Sequence, residues 1–451
     1  MIQALRQRVE PARSKSWLLV LTAALVAACS SPSTAPSASH GGAWPTMSDV
    51  ALAKTGFDPA GLAKLDARMK EAVDKGEVSG IVTLLARHGQ VAQFTAHGVQ
   101  AYETGKPMTE KSLFRIYSMT KPITGVAMMQ LYEKGLWKLD DPVTKFIPEF
   151  ANLKVLKSKE AGLAPANRAP TMKELMTHTA GFGYGLSQVH PVDQMFVKEN
   201  PLGKPDLGAL IDTVAKLPLI DQPGTRWSYS IAVDIQGAIV ERLSGKKFGE
   251  YLQQNILKPL SMNDTTFFVT PAEQPRVATV YQWDRKAGKL TPMPDPPGRD
   301  FFKADHVESG GGGLVSSIHD YARFAQMLLN KGTLDGAKIL KPETVALMTQ
   351  NHIGDLRVGF DGNSATGGSS GSGFGLDFAV VYDPVAAKTP QGKGTFSWFG
   401  IAGTWFWIDP TNDLFYIGMI QRRGGAGPGA VNFRSESVKL VYDALSPNTS
   451  S

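Results

Sequence analysis

One stretch decides the fold: Phe114-Arg-Ile-Tyr-Ser118-Met-Thr-Lys121-Pro-Ile-Thr-Gly-Val-Ala-Met-Met-Gln-Leu-Tyr-Glu-Lys134-Gly135. Its apolar residues recur near a 3.6-residue period, which predicts a buried helix, and Gly135 is a typical residue to end it. Ser118 falls in the first turn of this helix and Lys121 follows three residues later. Side chains at that spacing share one helix face, so the lysine amine can reach the serine hydroxyl.

The Ser118–Lys121 pair has the chemistry of an activated nucleophile. A serine hydroxyl attacks well only when a neighbouring base takes its proton. Lys121 can be that base if burial and the positive end of the helix hold its amine neutral. The same spacing also arises by chance on solvated turns. Because this pair opens an apolar helix, the sequence favours catalysis, and support is needed from elsewhere in the chain.

The composition sets limits on function. The chain has 451 residues, of which 42% are apolar and 20% charged, enough for a large core. Residues 1–28 carry about half of the formal net charge of +6, and the rest is too small and too evenly spread to predict nucleic-acid binding. Cys29 is the single cysteine, and the eight histidines show no metal-ligand spacing. We therefore expect no disulfide within the chain, no metal and no cofactor.

The start of the chain has the layout of an export signal. Residues 1–16 are basic, and the apolar run that follows to residue 28 is too short to span a bilayer. Val26-Ala-Ala-Cys29 resembles the lipobox of bacterial lipoproteins, where the cysteine becomes lipidated after cleavage; a plain signal peptide cut near Cys29 is the alternative. We predict a signal peptide at 1–28, a flexible tether at 29–45, and export across the inner membrane. The predicted location is the periplasmic face of the outer membrane, reached through a lipid anchor.

The order of predicted elements indicates an α+β fold, within the broad α/β class. A helix from Pro59 and a hairpin over 81–98 come first, mainly helical segments follow, and strands with a closing helix end the chain. The strands near the end are predicted at Phe374–Tyr382, Gly394–Phe399, Thr404–Ile408 and Leu414–Gln421. This order predicts an antiparallel sheet built from both chain ends and flanked by helices. A mostly helical insertion at about 120–300 interrupts a hydrolase domain over 46–445.

Further candidate residues lie outside this stretch. Pro223-Gly-Thr-Arg-Trp-Ser-Tyr229-Ser places a tyrosine just before an apolar helix, where a tyrosinate beside a lysinium could accept and return a proton. His178 could be offered as a general base, but its place at a helix end favours a histidine hydrogen-bonded to local backbone. Ser369 fits a Gly-x-Ser-x-Gly pattern, but no apolar strand precedes it, so we interpret it as part of a loop.

Five ordered motifs carry a family resemblance: Ser118-Met-Thr-Lys121, Thr177-His-Thr-Ala-Gly-Phe, Pro223-Gly-Thr-Arg-Trp-Ser-Tyr229-Ser, Gly311-Gly-Gly-Leu-Val-Ser, and Ser397-Trp398-Phe-Gly400 before Gly403-Thr-Trp-Phe-Trp. Together they resemble the serine β-lactamase and penicillin-binding-protein superfamily, in the branch of class C β-lactamases and family VIII carboxylesterases. The resemblance covers about residues 48–445 and implies a β-lactamase/DD-peptidase-like fold.

The resemblance also implies roles for single residues. Ser118 is implied as the acylated nucleophile, Lys121 as its partner base and Tyr229 as general base and acid. Trp398 and Gly400 stand on the strand that matches the Lys-Thr-Gly element, and Ile401 would give a backbone N–H to the oxyanion hole beside that of Ser118.

Two departures from the β-lactamase pattern bear on the substrate. Ile231 stands where β-lactamases carry Asn, and Trp398 stands where they carry the Lys that pairs with a substrate carboxylate. An indole in place of the cation offers an apolar wall instead. We therefore expect a serine esterase that acts on small, neutral, short-chain esters. A β-lactamase or D-amino-acid peptidase is the first alternative, and a non-catalytic, lipid-anchored binding protein is the second.

Overall fold

The computed structural model describes residues 44–158, 162–296, 298–359, 370–424 and 432–445. Its strands, in chain order, are β1 (Gly80–Arg87), β2 (Gln90–Gly98), β3 (Phe114–Arg115), β4 (Lys154–Ser158), β5 (Gly162–Pro165), β6 (Tyr281–Asp284), β7 (Lys289–Pro292), β8 (Val315–Ser316), β9 (Thr333–Leu334), β10 (Ala337–Lys338), β11 (Ser372–Phe374), β12 (Ala379–Val381), β13 (Phe396–Phe399), β14 (Trp405–Asp409), β15 (Leu414–Met419) and β16 (Arg422–Arg423). Its α-helices are α1 (Pro59–Asp74), α2 (Thr120–Glu133), α3 (Met172–Met176), α4 (Pro191–Glu199), α5 (Leu207–Val214), α6 (Ala232–Ser244), α7 (Phe248–Leu252), α8 (Ile318–Leu329), α9 (Pro342–Met348), α10 (Pro384–Ala387) and α11 (Phe433–Ala444).

A seven-stranded antiparallel sheet organises these elements. Its order is β11-β12-β13-β14-β15-β1-β2, so β1 from the beginning of the domain pairs with β15 from its end, with Val82 opposite Met419. This pairing confirms the prediction of an antiparallel sheet built from both chain ends.

Each face of the sheet is covered by its own set of helices. Alternate residues of a strand point to opposite faces. In β15, Phe415 and Ile417 belong to the large core that includes α2, α6 and α8, whereas Leu414 and Tyr416 belong to a second core with α1 and α11. Because helices cover both faces of the sheet, every residue of the central strands β1 and β15 is buried, whichever face it points to.

The nucleophile stretch enters the large core as predicted. A short 3₁₀ turn, Tyr117–Met119, leads directly into α2, and nearly every residue of α2 is buried. The strand before that turn, β3, pairs with β8, so that Phe114 lies opposite Ser316. This pairing brings the glycine run before β8 next to the first turn of α2.

The structure corrects several sequence-based expectations. The single strand expected over Phe374–Tyr382 is two short strands, β11 and β12, because the chain turns at Asp377, which has a left-handed φ of 66°. The middle region holds α2 to α7 but also two hairpins, β4–β5 and β6–β7. Trp44 and Pro45 are buried, and the Trp44 carbonyl accepts a hydrogen bond from Arg323, so the folded part begins before residue 46.

Some predictions fall outside the described residues. Residues 1–43, including Cys29, are among these, as is Ser369. Within the described ranges, no helix combines the length and the apolar character that crossing a bilayer requires.

Candidate active site

The structure brings the predicted nucleophile and its partner together. Ser118 lies in the 3₁₀ turn and is partly exposed, whereas Lys121 lies in the first turn of α2 with none of its surface exposed. The Lys121 Nζ is 3.3 Å from the Ser118 Oγ. Tyr117, which precedes the serine, has a left-handed φ of 43°, a conformation that non-glycine residues adopt at a cost and that is frequent at functional sites.

Three further groups surround the Lys121 amine. It donates a hydrogen bond of 2.6 Å to the Gly311 carbonyl, and it lies 3.4 Å from the Tyr184 hydroxyl. It also lies 4.6 Å from the centre of the Tyr229 ring. The amine therefore stands between the nucleophile, the glycine run before β8 and two tyrosines.

The ionisation of Lys121 differs from the sequence-based expectation. Burial alone lowers the pKa of Lys121, as expected, but charge interactions with Tyr184, Tyr229 and Asp234 outweigh burial, so its pKa is raised. The raised pKa favours the ammonium form of Lys121, whereas the sequence argument needed burial to hold the amine neutral, so the role of Lys121 as partner base stays a prediction. An ammonium has three donors and no lone pair, so it can stabilise an alkoxide or a phenolate but cannot accept a proton.

Asp234 is the carboxylate behind this site. It lies in the first turn of α6, is completely buried, and accepts hydrogen bonds from the Ser309 hydroxyl and, at 3.0 Å, from the Gly311 backbone N–H. A Cβ on Gly311 would come within 2.4 Å of an Asp234 oxygen and 2.9 Å of the Tyr184 hydroxyl. Any side chain at residue 311 would therefore push the backbone away from Asp234 and Tyr184, and the carbonyl of residue 311 would lose its contact with Lys121.

Trp398, predicted to offer an apolar wall to the substrate, packs beside Tyr229. Trp398 on β13 is only 2% exposed, and its ring centre lies 5.5 Å from that of Tyr229. Phe374 packs edge-on against the same indole at 5.3 Å. Ile231 is completely buried and belongs to the large core. Trp398 and Ile231 thus add apolar contacts where the β-lactamase pattern has an ammonium and an amide.

The end of β13 passes directly behind the nucleophile turn. A Cβ on Gly400 would come within 2.4 Å of the Ile116 carbonyl, so only glycine allows this approach. None of the backbone hydrogen bonds found among the described residues uses the N–H of Ile401, a residue that is 45% exposed. Within the described ranges, the N–H of Ile401 is therefore not committed to another backbone group, and it directly follows Gly400 at the end of β13.

His178 is completely buried beside Tyr229, with ring centres 4.9 Å apart. Its Nδ1 accepts the backbone N–H of Ser230 at 3.2 Å. Burial, and then the charge of Lys121, lower the pKa of His178 well below its ordinary value. The sequence favoured a histidine that is hydrogen-bonded to backbone, and this geometry agrees with that interpretation. The backbone it bonds belongs to the Tyr229 segment, however, and not to the adjoining helix.

Sequence reasoning missed two members of the site, Tyr184 and Asp234. Each had a signal: Tyr184 stands inside the run Gly181-Phe-Gly-Tyr-Gly185, and Asp234 is an acid among apolar residues at the start of α6. Neither signal reveals a contact with Lys121, because both residues are distant from it along the chain.

The described residues contain no cluster of three or more His, Cys, Asp or Glu side chains that could hold a metal ion. The Ser118 hydroxyl is instead contacted by the Lys121 amine, which in turn is bordered by the side chains of Tyr184 and Tyr229 and by the Gly311 carbonyl. Such a set can activate a hydroxyl, stabilise an oxyanion and transfer a proton to a leaving group.

Comparison with known proteins agrees with this constellation. The Beta-lactamase family matches residues 65–438. Esterase EstB of Burkholderia gladioli is 33% identical over 384 residues, which cover 80% of this chain and 91% of that protein. Protein Rv1367c of Mycobacterium tuberculosis is 37% identical over 369 residues, covering 79% of this chain and 88% of that one.

A solved structure agrees as well. The structure of EstCE1, described as a hydrolase with promiscuous acyltransferase activity, is 29% identical, has a TM-score of 0.71, and matches 86% of this chain and 99% of its own. The family match covers most of the chain, and the fold and the Ser118–Lys121 geometry agree with it. The chain is a serine hydrolase of the beta-lactamase family, within the serine β-lactamase and penicillin-binding-protein superfamily and near its family VIII esterases.

Proposed function

We propose that the protein is a carboxylesterase that acts on short-chain neutral esters through an acyl-enzyme on Ser118. The observation that carries this proposal is the position of Trp398, whose buried indole packs against Tyr229 where a β-lactamase would present a lysine. A substrate carboxylate placed there would lose its water and gain no cation, which is costly. A neutral acyl or alkoxy group would gain apolar contact instead.

In the proposed acylation step, Tyr229 acts as the base, beside the Lys121 amine. Tyr229 takes the proton of the Ser118 hydroxyl while the Ser118 Oγ bonds to the ester carbonyl carbon. When the tetrahedral intermediate collapses, the C–O bond to the alcohol breaks, and Tyr229 returns the proton to the departing alkoxide. Lys121 keeps its protons throughout and stabilises negative charge on either oxygen.

Deacylation repeats this sequence with water. Tyr229 takes a proton from water while the water oxygen bonds to the acyl carbon. When this second tetrahedral intermediate collapses, the bond from the acyl carbon to the Ser118 Oγ breaks, Tyr229 returns the proton to Oγ, and the carboxylic acid leaves. We assign the oxyanion hole to the backbone N–H groups of Ser118 and Ile401. The proximity of Gly400 to the Ile116 carbonyl supports this assignment, since it holds the end of β13 against the nucleophile turn.

The relatives support an esterase in general terms. One of the proteins that this chain resembles is named an esterase, and another is described as a hydrolase with acyltransferase activity. The competing proposals, a β-lactamase or D-amino-acid peptidase and a non-catalytic binding protein, predict different results in one experiment.

That experiment compares p-nitrophenyl butyrate with a chromogenic cephalosporin, using the chain without residues 1–42. The Ser118→Ala variant is the matched control. We expect fast ester hydrolysis, weak cephalosporin hydrolysis and loss of both in the variant. A preference for the cephalosporin would make the protein a β-lactamase. No hydrolysis, and no covalent adduct with a fluorophosphonate, would make it a binding protein. Full activity in the Ser118→Ala variant would show that another residue is the nucleophile, and Ser369 would be tested next.

We also propose that Cys29 is lipidated and anchors the enzyme at the periplasmic face of the outer membrane. The lipobox-like Val26-Ala-Ala-Cys29 and the position of the single cysteine support this proposal. Labelling of the full chain with a radioactive fatty acid in a Gram-negative host tests it, with Cys29→Ser as control. Equal label in both chains, or none in either, would contradict lipidation.

A further inference from the structure

His178 holds both backbone neighbours of Tyr229. Its carbonyl accepts the N–H of Ser228 at 2.8 Å, and its Nδ1 accepts the N–H of Ser230 at 3.2 Å. Tyr229 lies between these two serines, so one residue fixes the backbone on each side of the tyrosine.

The same histidine also supports the Tyr229 ring. The two ring centres are 4.9 Å apart, and Trp227 and Phe374 pack on the imidazole at 5.8 and 5.5 Å. His178 has none of its surface exposed, so the imidazole fills an aromatic pocket directly behind the tyrosine. Any displacement of His178 therefore moves the backbone and the ring of Tyr229 together.

The hydrogen bonds define the protonation of the imidazole. The Nδ1 atom lies 3.2 Å from the backbone N of Ser230 and 3.0 Å from the Ser230 hydroxyl oxygen. A backbone N–H can only donate, so its bond to Nδ1 requires a lone pair there, with the Ser230 hydroxyl also donating and the proton of the neutral ring on Nε2. The nearby groups agree with a neutral ring, because the charged side chain that acts on it is the Lys121 ammonium. A second positive charge at this place would be unfavourable.

The conformation of residue 178 is part of the arrangement. His178 has a left-handed φ of 57°, which directs both its carbonyl and its side chain towards the Tyr229 segment. Asparagine tolerates this conformation among non-glycine residues, and its Oδ1 occupies nearly the position of the imidazole Nδ1. Glutamine places its acceptor one bond further out, near the position of Nε2.

We propose that His178 is a positioning residue, which holds Tyr229 in the geometry for proton transfer to and from Ser118 by accepting the backbone N–H groups of Ser228 and Ser230. It takes no part in proton transfer. This inference rests on the proposed role of Tyr229.

The test compares His178→Asn with His178→Gln in p-nitrophenyl butyrate hydrolysis. We expect the Asn variant to keep kcat within about threefold, because it keeps the acceptor, and the Gln variant to lose about 100-fold in kcat with little change in KM. If His178 were the general base, both variants would lose activity, and the Asn variant would also lose the acid limb of the pH–rate profile, which the lowered pKa of His178 would place well below pH 6.5. We expect the profiles of the wild type and the Asn variant to superimpose.

A double-mutant cycle with Tyr229→Phe separates positioning from a general structural role. If His178 acts through Tyr229, His178→Gln reduces the residual activity of Tyr229→Phe by less than twofold. A further 100-fold loss would overturn the proposal. A Tyr229→Phe variant with full activity would instead overturn the proposed role of Tyr229 in the mechanism, while the esterase assignment would be judged by the Ser118→Ala experiment. If His178→Gln does not fold, as judged by its thermal unfolding, His178→Ala replaces it in the same cycle.

Discussion

Two tyrosines border Lys121, and the structure distinguishes them. Tyr184 is completely enclosed, and burial raises its pKa although the Lys121 charge acts in the opposite direction. Tyr184 therefore holds its proton more tightly than a free phenol, which makes it a poor base. We propose Tyr229 as the base, and we expect Tyr229→Phe to be far more harmful than Tyr184→Phe.

The magnitudes follow from the contacts that each hydroxyl makes. Tyr184→Phe removes one hydrogen bond of 3.4 Å to the Lys121 amine, which is worth about 1 kcal/mol, or about fivefold in kcat. Tyr229→Phe removes general acid–base catalysis, which contributes about 100- to 10,000-fold. Phenylalanine keeps both rings, including the edge-on contact of these tyrosines at 5.5 Å, so packing changes little in either variant.

The assay is stopped-flow hydrolysis of p-nitrophenyl butyrate, which follows acylation and turnover separately. Thermal unfolding of both variants serves as the control for folding. We expect the acylation rate of Tyr229→Phe to lie at least about 20-fold below that of Tyr184→Phe. Equal losses, or a larger loss for Tyr184→Phe, would refute the assignment of the base and would make Tyr184 the group that transfers the proton.

Three further changes test other parts of the site. Gly400→Ala should cost about 1–3 kcal/mol in urea unfolding and reduce kcat, because the new Cβ would lie 2.4 Å from the Ile116 carbonyl; unchanged unfolding and kcat would contradict this. Asp234→Asn should move the alkaline limb of the pH–rate profile to lower pH, since the carboxylate raises the pKa of Lys121; superimposed profiles would show that this charge does not act on Lys121. Burial raises the pKa of Asp377 in the folded protein. As the pH rises above about 3.9, the wild type should therefore lose stability relative to Asp377→Asn, by up to about 1.4 kcal/mol per pH unit. Urea unfolding of both chains from pH 5 to 8 measures this loss, and parallel curves of stability against pH would contradict it.

Local patterns in the sequence predicted much of the fold. The period of α2, the N-cap Asp58 before Pro59 and the hairpin of β1 and β2 all depend on residues close together in the chain. The division of the expected Phe374–Tyr382 strand was not visible, because it depends on a left-handed turn at Asp377. That residue is enclosed by distant groups: its backbone N–H donates to the Met176 carbonyl, and its carboxylate accepts from Gln236.

The predicted residues Ser118, Lys121 and Tyr229 are adjacent in the structure, whereas Tyr184 was missed for a physical reason. Its position is set by Asp193 on α4, whose carboxylate accepts the backbone N–H groups of Tyr184 and Gly185 at 2.9 and 2.7 Å. A sequence pattern does not show which loop such a carboxylate will hold.

The charge of Lys121 depends in the same way on groups far along the chain. Reasoning from the local helix correctly identified burial as a force that lowers the pKa of the amine. The opposing force comes from Asp234 and the two tyrosines, which reach Lys121 only after the central helices have packed together. Because these interactions exceed the effect of burial, the tertiary structure favours the cationic form of Lys121. This charge supports our proposal that a tyrosine carries the proton, and it makes the position of that tyrosine the property that the fold has to control.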